Sequence, residues 1–403
     1  MKLSLPPILT GVAEHRRDRS FLVYVILGIG LLAYPAIAAL LSPGDSGAYL
    51  LGQAGDAGVF VLMAIGLNVV VGFAGLLDLG YAAFFAIGAY TYALLASSQL
   101  GSSPLHQSVH LPFWLLLFVA VAVAASFGVI LGAPTLRLRG DYLAIVTLGF
   151  GEIVPRVFRN LGTWTGGVNG VSALDFPSLP VWITGPWAGL QVAIVRDFSF
   201  AFNPMAYYAL MIILLTGSVI LVHNLQNSRL GRAWVAIRED EVAAASMGVN
   251  TVTTKLLAFS IGASFSGFAG AFYGAKLSLV SPENFGFVIS VTILVMVVLG
   301  GMGNIPGVIV GALTVYYVLF NLLTNLPRIS KDVASSVGLA FLNRPSGDWP
   351  GLEGAVGRLN FLVFGLILIL IMLLRPQGLL PSSVRQQELV KSTGPEPVLV
   401  ETS

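Results

Sequence analysis

The sequence predicts an all-α integral membrane protein, a polytopic bundle of about ten spanning helices. Hydrophobic residues make up 56% of the 403 positions and charged residues only 10%, and the mean hydropathy is +0.86. A soluble domain carries charge on about a quarter of its residues because its surface faces water, so this composition excludes a soluble enzyme and a disordered chain. Apolar runs recur along the chain, and a run in lipid must satisfy its own backbone polar groups, as a helix does.

The apolar runs set the predicted domain organisation. They lie near residues 21–41, 57–73, 76–96, 111–131, 142–158, 205–223, 255–276, 286–301, 305–323 and 359–374. Arginine residues precede the first run, and an excess of Lys and Arg marks the cytoplasmic side of a membrane. We therefore expect a cytoplasmic N-terminus over 1–20, a membrane domain over 21–374 with a cytoplasmic loop over 224–254, and a cytoplasmic tail over 375–403.

The first run has a second interpretation as a cleaved signal peptide. Basic residues precede it, and Ala36-Ile37-Ala38 resembles a small-residue cleavage site. The run continues to Leu41, and about 20 apolar residues suit a permanent anchor better than a signal core.

Two glycine-rich breaks interrupt the apolar runs. One ends at Gly75 and the other at Gly303, and each leads into a further apolar run. Glycine-interrupted segments at matching places in two halves are typical of a transporter's central site, so the pattern predicts an internal repeat, with an inverted repeat as one form of it. Chance similarity between glycine-rich helices is the alternative. Asn68 and Asp78 flank the first break, where they either bind a ligand or cap the broken helix ends.

Polar residues in and after the fifth run form two further candidates. Glu152 and Arg156 are four residues apart, so they lie on one helix face and can pair. They form either part of a polar translocation path or a structural ion pair. The segment Thr165–Gly170 contains paired glycines and Asn-Gly, which allow turns with positive φ. Its backbone N–H groups either receive a carboxylate or belong to an ordinary turn.

The loop over 228–250 is too polar to span a membrane but has the pattern of helices. Asp240 is a suitable N-cap for a short helix over 241–247, and Gly248 is a suitable end. Such a helix either docks into a groove on a partner protein or lies on the bilayer or on its own bundle.

Several motifs are missing from the chain. It has no cysteine, no phosphate-binding Gly-x4-Gly-Lys loop and no His-Glu-x-x-His or Gly-x-Ser-x-Gly pattern. We therefore expect no catalytic residue, no bound metal and no cofactor held by this chain. The net charge of +2 gives no indication of nucleic-acid binding.

Six stretches together resemble the permease subunits of branched-chain amino-acid ATP-binding-cassette importers, of the LivM type. They are GLLDLGY at 75–81, LRLRGDYLAIVTLGFGE at 136–152, TGGVNG at 165–170, REDE at 238–241, SPE at 281–283 and VLGGMG at 298–303. The resemblance implies a multi-pass protein of the bacterial inner membrane. It also implies a second homologous permease, two ATPase subunits that use ATP and Mg²⁺, a periplasmic binding protein, and membrane lipid around the helices.

The resemblance also implies roles for particular residues. The expected ATPase-coupling residues are Arg232, Ile237, Arg238, Glu239, Asp240, Glu241, Ala244 and Gly248. Together with the glycine break and the polar residues described above, it gives the expected residues of the substrate path: Asn68, Gly75, Tyr81, Glu152, Thr165, Gly166, Gly167 and Asn169. One departure concerns the coupling motif, in which Val242 stands where the family has Glu and Glu241 lies one residue early. The stretch 324–358 is long for the family and is interpreted as a local insertion.

Two other functions are compatible with this sequence. A related permease for urea or a short amide would keep the same architecture, and an ion-coupled secondary transporter would need no ATPase. The loop over 228–250 argues against the second of these. The leading prediction is ATP-driven import of a branched-chain or similar hydrophobic amino acid.

Overall fold

Long helices dominate the structure, as the sequence predicts. The computed structural model describes residues 19–41, 45–104, 106–135, 141–172, 174–177, 200, 203–343, 350–374 and 378–380. In chain order its α-helices are α1 (Arg19–Leu41), α2 (Asp45–Leu67), α3 (Tyr81–Leu95), α4 (Gln99–Ser102), α5 (Phe113–Thr135), α6 (Asp141–Asn160), α7 (Gly162–Thr165), α8 (Pro204–Asn227), α9 (Arg229–Glu239), α10 (Glu241–Ser246), α11 (Thr251–Leu277), α12 (Phe287–Gly300), α13 (Ile305–Tyr316), α14 (Thr324–Ser336) and α15 (Gly351–Leu374).

Short elements complete the described fold. A π-helical segment, Asn68–Phe73, continues α2, and a second, Tyr317–Leu323, joins α13 to α14. Short 3-10 turns lie at Gly167–Asn169, Pro282–Phe285 and Ala340–Asn343. Two-residue strands β1 (Ala96–Ser97) and β2 (Val109–His110) pair with each other, as do β3 (Val171–Ser172) and β4 (Leu279–Val280), both pairs antiparallel.

The described helices make this a polytopic membrane protein. Seven helical stretches of the described chain are long and apolar enough to cross a membrane, namely Val23–Leu40, Gly47–Phe73, Phe113–Thr135, Pro204–Asn227, Thr251–Leu277, Pro282–Gly300 and Ile305–Ser336. The apolar helix α3 is shorter. Helices lie at each of the ten predicted positions, and the proposal that all ten cross the membrane stays a prediction.

Helices α2 and α11 form the centre of the bundle. Helix α11 packs against α5, α3 and α2, and α2 also packs against α8. Small residues permit the closest of these contacts. A Cβ atom on Gly88 would lie 2.2 Å from the carbonyl oxygen of Gly267, and one on Gly270 would lie 2.3 Å from that of Phe85. Because helices in lipid associate through close packing rather than the hydrophobic effect, these glycines set the distance between α3 and α11.

The two ends of the bundle are distinct. The end that carries α9 and α10 is called the α9 end, and the opposite end, where β3 pairs with β4, is called the far end. At the far end Val171 pairs with Val280, so the connection after α6 is joined to the connection after α11.

The two glycine-rich breaks both lie at the α9 end. The Asn68 side-chain Oδ1 accepts a hydrogen bond from the Gly303 N–H at 2.8 Å, so the two breaks are in direct contact. The helix pairs α2–α3 and α12–α13 therefore run in the same sense through the bundle. An inverted repeat is not confirmed, because inversion would place equivalent breaks at opposite ends.

The stretch 324–358 contributes helix as well as loop. Helix α14 continues directly from the second π-helical segment. The ammonium group of Lys331 lies 3.0 Å from the carboxylate of Glu353 in α15, so an exposed ion pair joins the two helices.

Candidate functional site

Local hydrogen bonds and one glycine account for where helices α9 and α10 begin and end. The Ser228 hydroxyl caps α9 by accepting from the Gly231 N–H. Asp240 ends α9, and its Oδ1 accepts from the N–H groups of Val242 and Ala243 at 2.8 and 3.0 Å. Gly248 follows α10 with a φ of +86°, which glycine adopts readily. The predicted cap, short helix and glycine end are thus confirmed.

One face of this helix pair is anchored to the bundle. Trp234 is fully buried, and its indole Nε1 donates to the Thr254 carbonyl oxygen at 2.8 Å. The Glu241 carboxylate lies 2.6 Å from the ammonium of Lys255, whose side chain is only 9% exposed. Ile237 and Ala244 are buried as well. Glu241 therefore fastens α10 to the start of α11.

The opposite face of the helix pair is exposed and partly apolar. Val242 is 66% exposed and Met247 85% exposed. Arg232, Glu239 and Asp240 are exposed beside them. Large apolar side chains at the exposed end of a membrane protein are typical of a protein-protein contact.

Arg238 links the helix pair to the first break. Its Nη1 donates to the Gly72 carbonyl oxygen at 2.6 Å, within the π-helical segment. Gly75 has a φ of +71°, and a Cβ atom there would lie 2.8 Å from the Arg238 Cγ. The Arg238 side chain thus lies directly on the break, and Gly75 is required for that approach.

Asn68 extends this link to the second break. Its Oδ1 accepts from the Gly303 N–H at 2.8 Å, and the Gln226 Nε2 donates to the Gly303 carbonyl oxygen at 3.4 Å. Asn68 is fully buried. The side-chain carbonyl of Asn68 therefore connects the two breaks and does not cap the end of its own helix.

The segment after the first break contacts α6 and α11. Asp78 is buried, and its Oδ1 accepts from the Gly80 N–H at 2.8 Å. Because Gly80 is the N-cap of α3 and that helix has no side-chain cap, Asp78 stabilises the turn before α3 rather than capping the helix. The Leu79 N–H donates to the Thr147 hydroxyl at 3.0 Å. The hydroxyl of Tyr81, also fully buried, donates to the Gly262 carbonyl oxygen at 2.9 Å. The segment after the break is therefore held by two other helices.

The predicted path residues do not form one cluster. Asn68, Gly75 and Tyr81 lie at the α9 end, whereas the loop that contains Thr165, Gly166, Gly167 and Asn169 lies at the far end. Between them, Glu152 pairs with Arg156 at 3.2 Å on a partly exposed face of α6. The segment before α3 contacts α6 at Thr147 and Gly151, and the far-end loop follows the end of α6 at Asn160. Between about half and two thirds of the length of α6, roughly 15–20 Å at 1.5 Å per residue, therefore separates the two groups.

The far-end loop is an ordered turn. The Thr165 hydroxyl donates to the carbonyl oxygens of Leu161 and Phe158. Gly166, Gly167 and Gly170 all have φ between +58° and +72°. A Cβ atom on Gly170 would lie 2.2 Å from the Val280 carbonyl oxygen. The glycines therefore permit a tight turn against β4.

Sequence reasoning missed a partly buried ion pair toward the far end. The Lys276 ammonium lies 2.6 Å from the Asp56 carboxylate and donates to the Gly52 carbonyl oxygen at 2.6 Å. The Lys276 side chain is 10% exposed and that of Asp56 34%. The sequence did indicate that each residue needs a partner, because each charge lies within a long apolar helix. It does not indicate that Lys276 and Asp56 are partners of each other.

These features define a class of protein: a polytopic membrane protein whose peripheral helix pair is fastened to two helix breaks in the bundle. The profile of the family described as branched-chain amino acid transport system / permease component matches residues 49–372. The chain therefore belongs to that family of permeases.

Individual relatives agree with the family match. The chain is 38% identical over 341 residues to the high-affinity branched-chain amino acid transport system permease protein LivM of Escherichia coli K12, covering 82% of this chain and 70% of the relative. It is 24% identical to the probable branched-chain amino acid transport permease protein LivM of Methanocaldococcus jannaschii, covering 80% and 91%. It is 26% identical to the permease protein LivH of E. coli K12, covering 63% and 78%. No solved structure matches the chain.

Proposed function

We propose that this chain is the membrane-spanning subunit of an ATP-driven importer for branched-chain or similar hydrophobic amino acids. The contact of Arg238 with the first break carries the proposal, because it gives a force on the peripheral helix pair a direct route into the bundle. The names of the LivM and LivH relatives support the substrate class.

The proposed assembly has several subunits. A second, similar permease completes the pathway, two ATPases bind ATP and Mg²⁺ and press on α9 and α10, and a periplasmic protein delivers the amino acid. The chain itself carries no ATPase chemistry. In this arrangement the α9 end faces the cytoplasm of a bacterial cell, both termini are cytoplasmic, and ten helices cross the inner membrane.

The proposed mechanism uses the contacts at the α9 end. ATP binding closes the ATPases and displaces α9 and α10. Arg238 passes the displacement to Gly72, and Asn68 passes it to Gly303 in the second break. Because both breaks move together, the helices that adjoin them tilt. The pathway then opens toward the opposite face of the membrane.

Uptake by the reconstituted complex tests this function. Vesicles that contain both permeases, the binding protein and both ATPases should accumulate labelled leucine when ATP is supplied. Omission of the ATPases should abolish uptake, and unlabelled urea in excess should not compete. Uptake that persists without ATPases and collapses with a protonophore would instead identify an ion-coupled transporter, and competition by urea would identify an amide permease.

The exposed face of α10 should be the ATPase contact. Met247→Lys is expected to reduce the ATPase recovered with the purified permease by about thirtyfold or more, because truncating or charging an interface anchor costs about 2 kcal/mol or more, and about 1.4 kcal/mol corresponds to a factor of ten. Val337→Lys is the matched control, since Val337 is an exposed apolar residue at the equivalent C-cap position of α14. Equal ATPase recovery for both variants would contradict the assigned surface.

A further inference from the structure

An elongated cavity lies between α1 and the rest of the bundle. Its volume is about 500 Å³, within the range of roughly 300–1,000 Å³ that is usual for ligand sites. Helix α8 supplies one wall from Tyr208 to Asn224, a length of about 24 Å at 1.5 Å per residue. Tyr24, Gly28 and Leu31 of α1 form the opposite wall. We call this cavity the α1–α8 slot.

Tyrosine contacts join α1 to α8 and to α2 at one end of the slot. The Tyr208 hydroxyl donates to the Leu31 carbonyl oxygen at 2.7 Å, and the Tyr34 hydroxyl donates to the Leu50 carbonyl oxygen at 3.3 Å. The rings of Tyr34 and Tyr208 lie 5.8 Å apart. The slot is therefore closed toward the far end and extends toward the α9 end, where Tyr24 and His223 lie.

The walls of the slot exclude a polar occupant. Most lining side chains are aliphatic, and two of the polar side chains already donate to the backbone: the Thr216 hydroxyl donates to the Ile212 carbonyl oxygen at 2.8 Å, and the Tyr208 hydroxyl donates as described. An amino-acid zwitterion would lose its hydration without gaining hydrogen bonds there. Water is also poorly held by an apolar cavity. The slot thus suits a hydrocarbon chain better than a zwitterion.

The mouth of the slot is basic. His223 and Asn224 line it, and the exposed Arg229 and Arg232 follow in α9. The Arg232 Nη1 donates to the Asn227 carbonyl oxygen at 3.1 Å, and the Asn227 Nδ2 donates to the His223 carbonyl oxygen at 3.0 Å. These contacts join the two helix ends into one surface. The sequence has no acidic residue from 204 to 238.

We infer that the α1–α8 slot binds an anionic phospholipid, with an acyl chain between α1 and α8 and the headgroup at the basic mouth. The hydrocarbon fills apolar volume that neither water nor substrate suits. The phosphate meets Arg and His side chains, which attract anionic headgroups at a membrane surface. The exclusion of the substrate rests on the proposed function, and the rest of the argument uses only the slot and its mouth.

Two glycines of α1 provide a matched pair of variants. Cβ atoms on Gly28 and on Gly30 would each have no atom within 4 Å, so both positions accept a side chain without a clash. Gly28 lines the slot, whereas Gly30 is exposed on the helix and does not. Gly28→Phe therefore fills the slot, and Gly30→Phe adds the same group outside it. A second pair on α8 is Val219→Phe, which fills the slot, and Gly217→Phe, which does not.

Native mass spectrometry of the detergent-purified complete complex tests the inference with phosphatidylglycerol and phosphatidylcholine as probes. The unaltered complex and the Gly30→Phe and Gly217→Phe variants should retain one phosphatidylglycerol more than the slot-filled variants. Retention should fall at least tenfold for Gly28→Phe and Val219→Phe at equal thermal stability. Arg229→Gln should reduce the preference for phosphatidylglycerol over phosphatidylcholine.

Three outcomes would overturn the inference. Equal phosphatidylglycerol retention by Gly28→Phe and Gly30→Phe would show that the slot holds no lipid. Equal retention of the two lipids by the unaltered complex would remove the role of the basic mouth. Loss of a partner subunit from the Gly28→Phe and Val219→Phe complexes, with unchanged lipid retention, would identify the slot as a protein interface.

Discussion

Replacing Arg238 by methionine should reduce ATP-driven uptake by about tenfold or more while the ATPase subunits stay bound. The variant removes a charge-assisted hydrogen bond of 2.6 Å to Gly72 and leaves the carbonyl oxygen of a buried residue without that donor. Losing such a bond costs about 1.5–3 kcal/mol, and about 1.4 kcal/mol corresponds to a factor of ten in an equilibrium. The peripheral helix pair would then move without moving the first break.

The measurement compares uptake with ATP hydrolysis in the same vesicles. Arg238→Met should hydrolyse ATP with little accumulation of amino acid, which is the signature of uncoupling. Arg328→Met is the control, because Arg328 is exposed on α14 and does not belong to the peripheral helix pair. Normal uptake by Arg238→Met would refute the proposed link, and loss of ATPase binding would move the role of Arg238 to the subunit interface.

Removing the carboxylate of Asp56 should destabilise the protein more than removing the carboxylate of an exposed ion pair would. Asp56→Ala leaves the Lys276 ammonium, which is 10% exposed, without its charged partner. Breaking a fully buried pair costs about 3–5 kcal/mol. We expect about 2 kcal/mol here, in the range of a hydrogen bond to a charged group, because Asp56 is partly exposed and solvent reduces the penalty.

Thermal unfolding of the purified complex measures this effect. Asp56→Ala should lower the midpoint, whereas the double variant with Asp56→Asn and Lys276→Met should recover much of the loss, because it leaves no unpaired charge. Glu353→Ala, which removes the carboxylate of an exposed pair, is the control and should change the midpoint little. A midpoint for Asp56→Ala equal to that of this control would show that the pair is not structural.

The positions of the helices could be predicted from the sequence because helix formation depends on residues that are close together along the chain. Apolar length predicts a helix in lipid, and Asp240 and Gly248 mark the ends of α10 through their own side chain and backbone conformation. The candidate site was only partly predictable. Tyr81 was selected from a motif and Asn68 because it flanks the first glycine-rich break, but their hydrogen bonds to Gly262 and Gly303 depend on packing.

The sequence alone determined that this protein lies in a membrane, where its apolar helices and its peripheral helix pair lie, and to which permeases it is related. Only the tertiary structure decided that Lys276 meets Asp56, 220 residues away, that Asn68 joins the two breaks across 235 residues, and that a slot lies beside α1. Helix formation and capping depend on neighbours within about one turn. Contacts between distant helices depend instead on how glycine-lined surfaces approach, and no single segment encodes that.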